Sequence, residues 1–207
     1  MKYNKLLTNE DREYYSKLIN MMKELCPDMM ARKIELANVQ QAFMLDVVGK
    51  EIEKRLNTEI LCVGSFEDTA SECLKMMGIY VTNIDPDVNV DLHTFRESYE
   101  NLFDVIFSTS VIEHVEDDEE FIRDMCLLLK HDGLGVITCD FNNDYREGDP
   151  LPYSDVRFYT KKDFTKFRRI VKEYGCKLVD RGMWDGEPDF THDDCNYSFA
   201  TFVFRKE

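Results

Sequence analysis

The sequence predicts an α/β fold in which a mostly parallel sheet is covered on both faces by helices. Two observations lead there. From about residue 58 onward, short β-like runs alternate with helical segments, and that alternation builds parallel sheets flanked by helices. Ahead of it stand two helical patterns with no strand between them. The 207 residues suffice for one sizeable core. The expected organisation is therefore a single domain over 1–207, with N-terminal helices over 1–57 and the α/β core over 58–207.

Each element has a local reason. Thr8-x-x-Asp11 is a helix-start signal. Tyr14, Leu18, Met21, Met22 and Leu25 follow at helical spacing, and Pro27 stops the pattern. A second helix is predicted over about 29–56, with Ile34, Ala37, Leu45, Val48, Ile52 and Leu56 on one stripe. Residues 59–63 then read as a strand, 68–77 as a helix, 80–84 and 104–108 as strands. Residues 117–130 read as a helix whose Phe121, Ile122, Met125, Leu128 and Leu129 face the core. A strand at 135–139 follows. Thr160 caps a helix that ends near Gly175, and strands at about 177–181 and 197–205 complete the chain. Ligands of open parallel sheets bind beyond the carboxyl ends of the strands, so function is expected in the loops that follow them.

Composition excludes several classes. Hydrophobic residues make up 43% and charged residues 32%, ordinary for a soluble globular chain. The N-terminus has no apolar run behind a basic segment, so no signal peptide is expected. Apolar runs reach about five residues where a membrane span needs roughly 20, so no span is expected. The 7 cysteines are odd in number, scattered and without a C-x-x-C pair. Free buried thiols in a reducing compartment, and hence a cytoplasmic location, are the expectation. A net charge of -15 repels a phosphate backbone. The run Lys161, Lys162, Lys166, Arg168 and Arg169 reads as a solvated helix face, and no nucleic-acid partner is expected.

Chemistry first shows at Val63-Gly64-Ser65-Phe66-Glu67-Asp68-Thr69, where a glycine lets a strand-to-helix turn approach a ligand closely. Gly64 alone is also compatible with a plain turn. About 20 residues later stands Asp85, the spacing at which a carboxylate accepts the ribose hydroxyls of a nucleotide-like cofactor. An Asp capping a turn before Pro86 is the alternative. Taken together, Gly64 and Asp85 point to an adenosine-type ligand.

The segment Phe103-Asp-Val-Ile-Phe-Ser-Thr-Ser-Val-Ile-Glu-His-Val, followed by a helix and Leu128-Leu-Lys-His-Asp-Gly, resembles the class I S-adenosylmethionine-dependent methyltransferases. In that family the strand ending here is the fourth, and the first loop usually carries three glycines. This loop has only Gly64, with Ser65 and Asp68 near the places of the others. The resemblance implies the Rossmann-like fold of that class and S-adenosylmethionine as cofactor, with S-adenosylhomocysteine as product. Asp85 would bind the ribose. Asp91 and Leu92 would bracket the adenine, Asp91 accepting from its amine. Gly64 and Ser108 would line the methionine part. Arg32 would pair with the methionine carboxylate or stand as an exposed helix charge. The runs Leu61-Cys-Val-Gly-Ser-Phe-Glu-Asp-Thr-Ala, Thr138-Cys-Asp-Phe, Asp155-Val-Arg-Phe-Tyr-Thr-Lys-Lys-Asp-Phe and Cys195-Asn-Tyr-Ser-Phe-Ala-Thr-Phe-Val resemble a subgroup tied to cell-surface polysaccharide synthesis. That implies a small-molecule or glycan acceptor, O-methylation of a sugar hydroxyl, and glycosyltransferases of the same pathway as partners.

Transfer to a hydroxyl needs a group to take its proton. Of the 4 histidines, only His114 sits in a motif, just past the strand that the resemblance places at the methyl end, and imidazole suits a general base. Glu113-His114 ordering the loop is the alternative, and Asp140 is the other candidate base or the group that orients one. Some oxygen methyltransferases of this class hold a divalent cation with Glu-x-x-Glu-His. Ser110 takes the first of those positions here, and no catalytic metal is expected. Arg157, Tyr159, Trp184, Asp185 and Tyr197 are the candidate acceptor contacts, because aromatic faces and carboxylates suit sugars. Phe199 and Phe202 read as core. The competing functions are an N- or C-methyltransferase of another metabolite, for which His114 would matter less, and a non-catalytic cofactor-binding scaffold.

Overall fold

The computed structural model describes residues 2–153 and 155–207. The chain opens with a two-residue strand, β1 (Leu6–Leu7), and helices α1 (Asn9–Tyr14), α2 (Ser16–Leu25), α3 (Pro27–Met30) and α4 (Asn38–Ile52). The core then runs β2 (Ile60–Val63), α5 (Thr69–Met76), β3 (Thr82–Ile84), α6 (Leu92–Ser98), β4 (Phe103–Thr109), α7 (Asp118–Leu128), β5 (Leu129–Phe141), α8 (Lys161–Glu173), β6 (Cys176–Leu178), β7 (Phe190–His192) and β8 (Cys195–Lys206). The strands form one sheet in the order β1-β8-β5-β4-β2-β3, with β6 and β7 also pairing β8. Pairing is parallel from β3 through β5 and antiparallel wherever β8 takes part.

Period-two alternation distributes the apolar side chains to the two faces. Ile60 and Cys62 of β2, Val105 and Phe107 of β4, Val136 of β5 and Val203 of β8 pack with Met22 of α2 and Val39, Phe43 and Val47 of α4. Their neighbours Leu61, Ile106, Ile137 and Phe202 pack on the other face with Ile122 and Met125 of α7 and Phe164 and Phe167 of α8. Phe199 and Phe202 are buried, as the sequence indicates. All seven cysteines are buried as well. Among the described residues no helix is long and apolar enough to cross a membrane.

Three differences from the sequence reading bear on the site. The predicted helix over 29–56 is broken: α3 ends at Met30, a 3-10 turn spans Glu35–Ala37, and α4 begins at Asn38. The first pattern ends before Pro27, as read, with α2 stopping at Leu25, and Pro27 then takes the first position of α3, which needs no N–H. Ile34 and Leu56, read as part of a buried stripe, are 42% and 95% exposed. Among the described residues no strand lies between β3 and β4, only α6, so the strand the resemblance counts as fourth follows just two parallel strands of the sheet. Finally, the outer edge of β8 is covered by three short strands, two of which, β1 and β7, lie outside the strands read from the sequence.

Candidate active site

β2, β3 and β4 end side by side, with Val63 in register with Ile84 and Cys62 with Phe107. The N–H groups of Gly64 and Ser65 both donate to the Ile84 carbonyl, at 2.9 and 3.1 Å. Gly64 has φ of +75°, a left-handed conformation that favours glycine. A Cβ added there would lie 2.3 Å from Val111 Cγ2. Gly64 therefore permits two things at once, the turn itself and the close approach of the loop after β4.

Asp85 is buried at the end of β3. Its Oδ2 accepts the Phe66 N–H at 3.0 Å and its Oδ1 the Asp87 N–H at 2.9 Å. These bonds tie the first loop to the second. An ionised carboxylate has about four acceptor sites, so Asp85 retains capacity for further donors. Asp68 is the N-cap of α5, accepting from Ser71 N–H at 2.6 Å and from Gln41 Nε2 at 3.0 Å.

Two cavities adjoin here and share Gly64, Asp85, Pro86, Val111 and His114 in their walls. One, a slot of about 540 Å³, has apolar walls of Ile84, Val90, Leu92, Val115 and Phe121 together with Asp91, His93, Glu120 and Asp124. The other, of about 660 Å³, has polar walls of Arg32, Asn38, Gln40, Gln41, Asp68 and Ser110 together with Ile34, Ala37 and Phe66. A slot with an apolar wall joined to a chamber with a polar wall, and a carboxylate at the join, can take the purine, ribose and amino-acid parts of S-adenosylmethionine. The fit has a further sign. Among the described residues Asn38 Nδ2 is buried without a hydrogen-bond partner, and Asn38 belongs to the polar wall. A buried donor left unpaired is costly, and a ligand carboxylate would satisfy it.

The start of α4 contributes more than Asn38. Gln40 and Ser110 bond each other at 2.8 and 3.0 Å. Gln41 Oε1 accepts the Ala70 N–H of α5 at 2.7 Å. Nothing in the sequence pattern marks these three side chains, because their role arises only when α4 folds over the first loop.

His114 lies at the junction of both cavities, in a 3-10 turn over Ile112–His114. Its Nδ1 is 3.3 Å from Asp155 Oδ1. Glu113 and Asp140 are buried close by. Burial pushes Glu113 up to about 7 and Asp155 up to about 6, the neighbouring His114 opposing both shifts. Burial raises Asp140 too, with the charges of Glu113 and Asp155 adding to the effect.

The structure moves other expected residues away. Ser108 is fully buried inside β4, and Thr109 and Ser110 reach the cavity wall instead. Ser65 stands in the first loop, but its backbone bonds serve the turn. Asp91 is the N-cap of α6, both oxygens engaged by Thr94 at 2.9 and 2.7 Å, although it and Leu92 still line the slot. Arg32 is not on a helix; it ion-pairs with Glu67 at 2.7 Å at the rim of the polar cavity. Of the acceptor candidates, Tyr159 is fully buried and donates its hydroxyl to the Ile112 carbonyl at 2.8 Å. Arg157 pairs with Asp118 at 3.0 Å. Trp184 packs on Phe164, ring centres 4.4 Å apart, and donates to the Thr201 carbonyl. Asp185 pairs with Lys161. Burying an aromatic ring and pairing a charge are what these four do, and none lines the two cavities. Tyr197 is buried beside Asp140.

His93, Glu120 and Asp124 bring ligand-type atoms within 4.8 Å of one another at the slot. Asp124 already meets His93 at 2.8 Å, Arg123 at 3.3 Å and Arg96 at 3.4 Å, so the protein's own cations neutralise it.

Comparison with known proteins agrees with this architecture. Residues 61–137 match the methyltransferase domain family model. No curated protein matches the sequence. A methyltransferase from Archaeoglobus fulgidus superposes with a TM-score of 0.53 at 11% identity, covering 80% of this chain and 94% of its own. A 1,6-didemethyltoxoflavin-N1-methyltransferase from Burkholderia thailandensis, with bound S-adenosylhomocysteine, gives 0.55 at 13%, covering 95% and 90%. The cyclase SpnF gives 0.58 at 13%, covering 95% and 94%, so the fold by itself does not fix the reaction. The domain match lies over the strands and loops that build the cleft, and the sheet and helices share the Rossmann-like fold of class I S-adenosylmethionine-dependent methyltransferases.

Proposed function

We propose that this chain is an S-adenosylmethionine-dependent methyltransferase that methylates a hydroxyl of a small polar acceptor, and that the acceptor is a sugar of a glycan or nucleotide sugar. The position of His114 at the junction of the two cavities carries the first half of this reading. The sequence resemblance to the polysaccharide-synthesis subgroup supports the second. Glycosyltransferases of the same pathway would then supply or consume the acceptor, in the cytoplasm.

The bound cofactor supplies an electrophilic methyl group on a sulfonium. The chain's residues do the rest. Leu92 and the other apolar residues of the slot hold the purine, Asp85 the ribose, and Asn38, with Arg32 at the rim, the amino-acid end. Gly64 keeps the first loop and Val111 close enough to shape both cavities. His114 takes the hydroxyl proton as the acceptor oxygen attacks in line, Glu113 and Asp140 standing behind it.

General base catalysis contributes about 10²–10⁴-fold. His114→Ala is therefore expected to lower kcat on the true acceptor by that much while leaving S-adenosylhomocysteine affinity nearly unchanged. A screen of methyl transfer onto nucleotide sugars, glycan fragments and small amines identifies the acceptor. Near wild-type turnover by His114→Ala would reject the base. Transfer to amines alone would favour the second reading, N-methylation, for which the carboxylates Asp85, Asp91, Glu116, Glu120 and Asp124 in the walls of the slot are the motivating observation.

A further inference from the structure

Behind His114 lies a cluster of carboxyls that methyl transfer with a lone histidine base does not require. Asp155 comes from the loop between β5 and α8, and its contact with His114 Nδ1 sets a side chain 5% exposed against one 39% exposed. The imidazole thus separates the open cavities from a carboxylate on its buried side. Asp140, within β5 near its end, and Glu113, one residue before His114, complete the cluster. Asp140 and Asp155 bond each other, Asp140 holding the proton they share, and among the described residues Glu113 Oε2, Asp140 Oδ1 and Asp155 Oδ2 are buried with no other donor in hydrogen-bond geometry. Buried acceptors of this kind are rare in proteins and mark places where function retains them. Tyr197 of β8 faces Asp140, and His192 and Asp193 face Asp155 from β7 and the turn after it. The loop is fixed where it crosses, because Val156 N–H donates to the Glu113 carbonyl at 3.0 Å.

We infer that Asp155 is the positioning residue of the base: its carboxylate accepts the Nδ1 proton of His114, fixes the tautomer whose lone pair is on Nε2, and stabilises the imidazolium formed during transfer. The inference rests on the base reading of His114. In the step, the acceptor O–H bond breaks and its proton joins Nε2 while the oxygen–methyl bond forms. The methyl–sulfur bond breaks and its electron pair stays on sulfur. The imidazole goes from neutral to a single positive charge beside a carboxylate of single negative charge, so charge separates over one short contact only. The electrostatics agree with this placement: burial pushes Glu113, Asp140 and Asp155 up, and the neighbouring His114 opposes that shift at Asp155.

The test reads the tautomer directly and needs no acceptor. Long-range proton–nitrogen NMR of the four histidine rings is recorded on the full chain saturated with S-adenosylhomocysteine at about pH 8, above the ordinary carboxylate and imidazole ranges, with His114→Gln assigning the signal. The expected result is Nδ1–H for His114 in the wild type, lost in Asp155→Asn and restored in Asp155→Glu, with S-adenosylhomocysteine affinity within about twofold throughout. An Nε2–H tautomer in the wild type overturns the inference, and needs no variant to fold. So does an Nδ1–H tautomer that survives in a folded Asp155→Asn. Normal turnover by His114→Ala is a separate outcome: it overturns the base reading and the catalytic part of this inference, whatever tautomer the ring adopts.

Discussion

Gly64→Ala is the substitution for which the structure gives the clearest magnitude. Two costs meet at this residue. An L-residue held at φ of +75° costs about 1–2 kcal/mol. The added Cβ would lie 2.3 Å from Val111 Cγ2 and 3.0 Å from Cγ1, and overpacking of this kind costs about 1–3 kcal/mol. The expected loss is about 2–5 kcal/mol, within the 5–15 kcal/mol typical of a domain, so the variant folds and can be measured. Val111→Ala removes both Cγ atoms, leaving only its Cβ at 3.2 Å, and so removes most of the steric part but not the conformational part. Urea unfolding of the two single variants and the double should therefore give a coupling of about 1–3 kcal/mol in the favourable direction. Val111 lines both cavities, so Gly64→Ala should also weaken S-adenosylhomocysteine binding by calorimetry, with partial recovery in the double variant. Additive single effects, or a loss below about 0.5 kcal/mol for Gly64→Ala, would refute the close-approach argument.

The remaining predictions concern charge. Asp85→Ala should weaken S-adenosylmethionine binding by roughly 1–3 kcal/mol, since charge-assisted bonds are lost and the Phe66 and Asp87 amides lose their acceptor; undetectable binding by the wild type at millimolar cofactor would defeat the enzyme reading. Glu113 and Asp155 are raised from 4.5 to about 7 and from 3.8 to about 6. The folded state then holds more protons than the unfolded chain between about pH 4 and 7, so their contribution favours folding at the acid end and is lost as pH rises through that window. This is the reverse of an ordinary salt-bridged carboxylate. Glu113→Gln should flatten the slope, by up to about 3 kcal/mol across the window, in denaturation series taken at several pH values. An unchanged slope would mean Glu113 is not buried as a shared acid.

Much of this architecture is local chemistry, and local chemistry shows in a sequence. The turn at Gly64 and the carboxylate of Asp85 each serve a strand end, and the stretch between them is short. The alternation of strands and helices exposed the parallel sheet in the same way. What stayed hidden depends on tertiary partners. The interruption between Met30 and Asn38 carries no proline or glycine, so periodicity runs straight through it. Strands of two and three residues, β1 and β7, are too short to show alternation and exist only because β8 offers an edge. Asn38, Gln40 and Gln41 look like any polar helix start. Asp155 reaches His114 by way of a loop with no period, and no spacing rule connects the two. Tyr159 and Trp184 illustrate the opposite case: aromatic residues in irregular sequence resemble sugar platforms, yet Tyr159 is buried in the core and Trp184, half-buried, packs on Phe164 and bonds the Thr201 carbonyl.

The covering of β8 has a consequence for the order in which the molecule assembles. Its inner edge pairs β5, and its outer edge takes up β1, β7 and β6 in turn. The pairing of Leu6 with Ala200 joins residues nearly the whole chain apart, and buried Asn4 fastens the same seam through the Val203 backbone, at 3.0 and 2.7 Å. During synthesis the parallel strands of the cofactor cleft are complete once β5 has emerged. Strand β1 has no edge to dock on until β8 follows, whereas α4, which closes the polar cavity, packs on α5, β4 and β5 and can settle before then. Contacts of such long separation form slowly, so the seam between β1 and β8 closes after the rest of the sheet. The cleft is therefore framed and roofed early in translation, and its far edge is laced last.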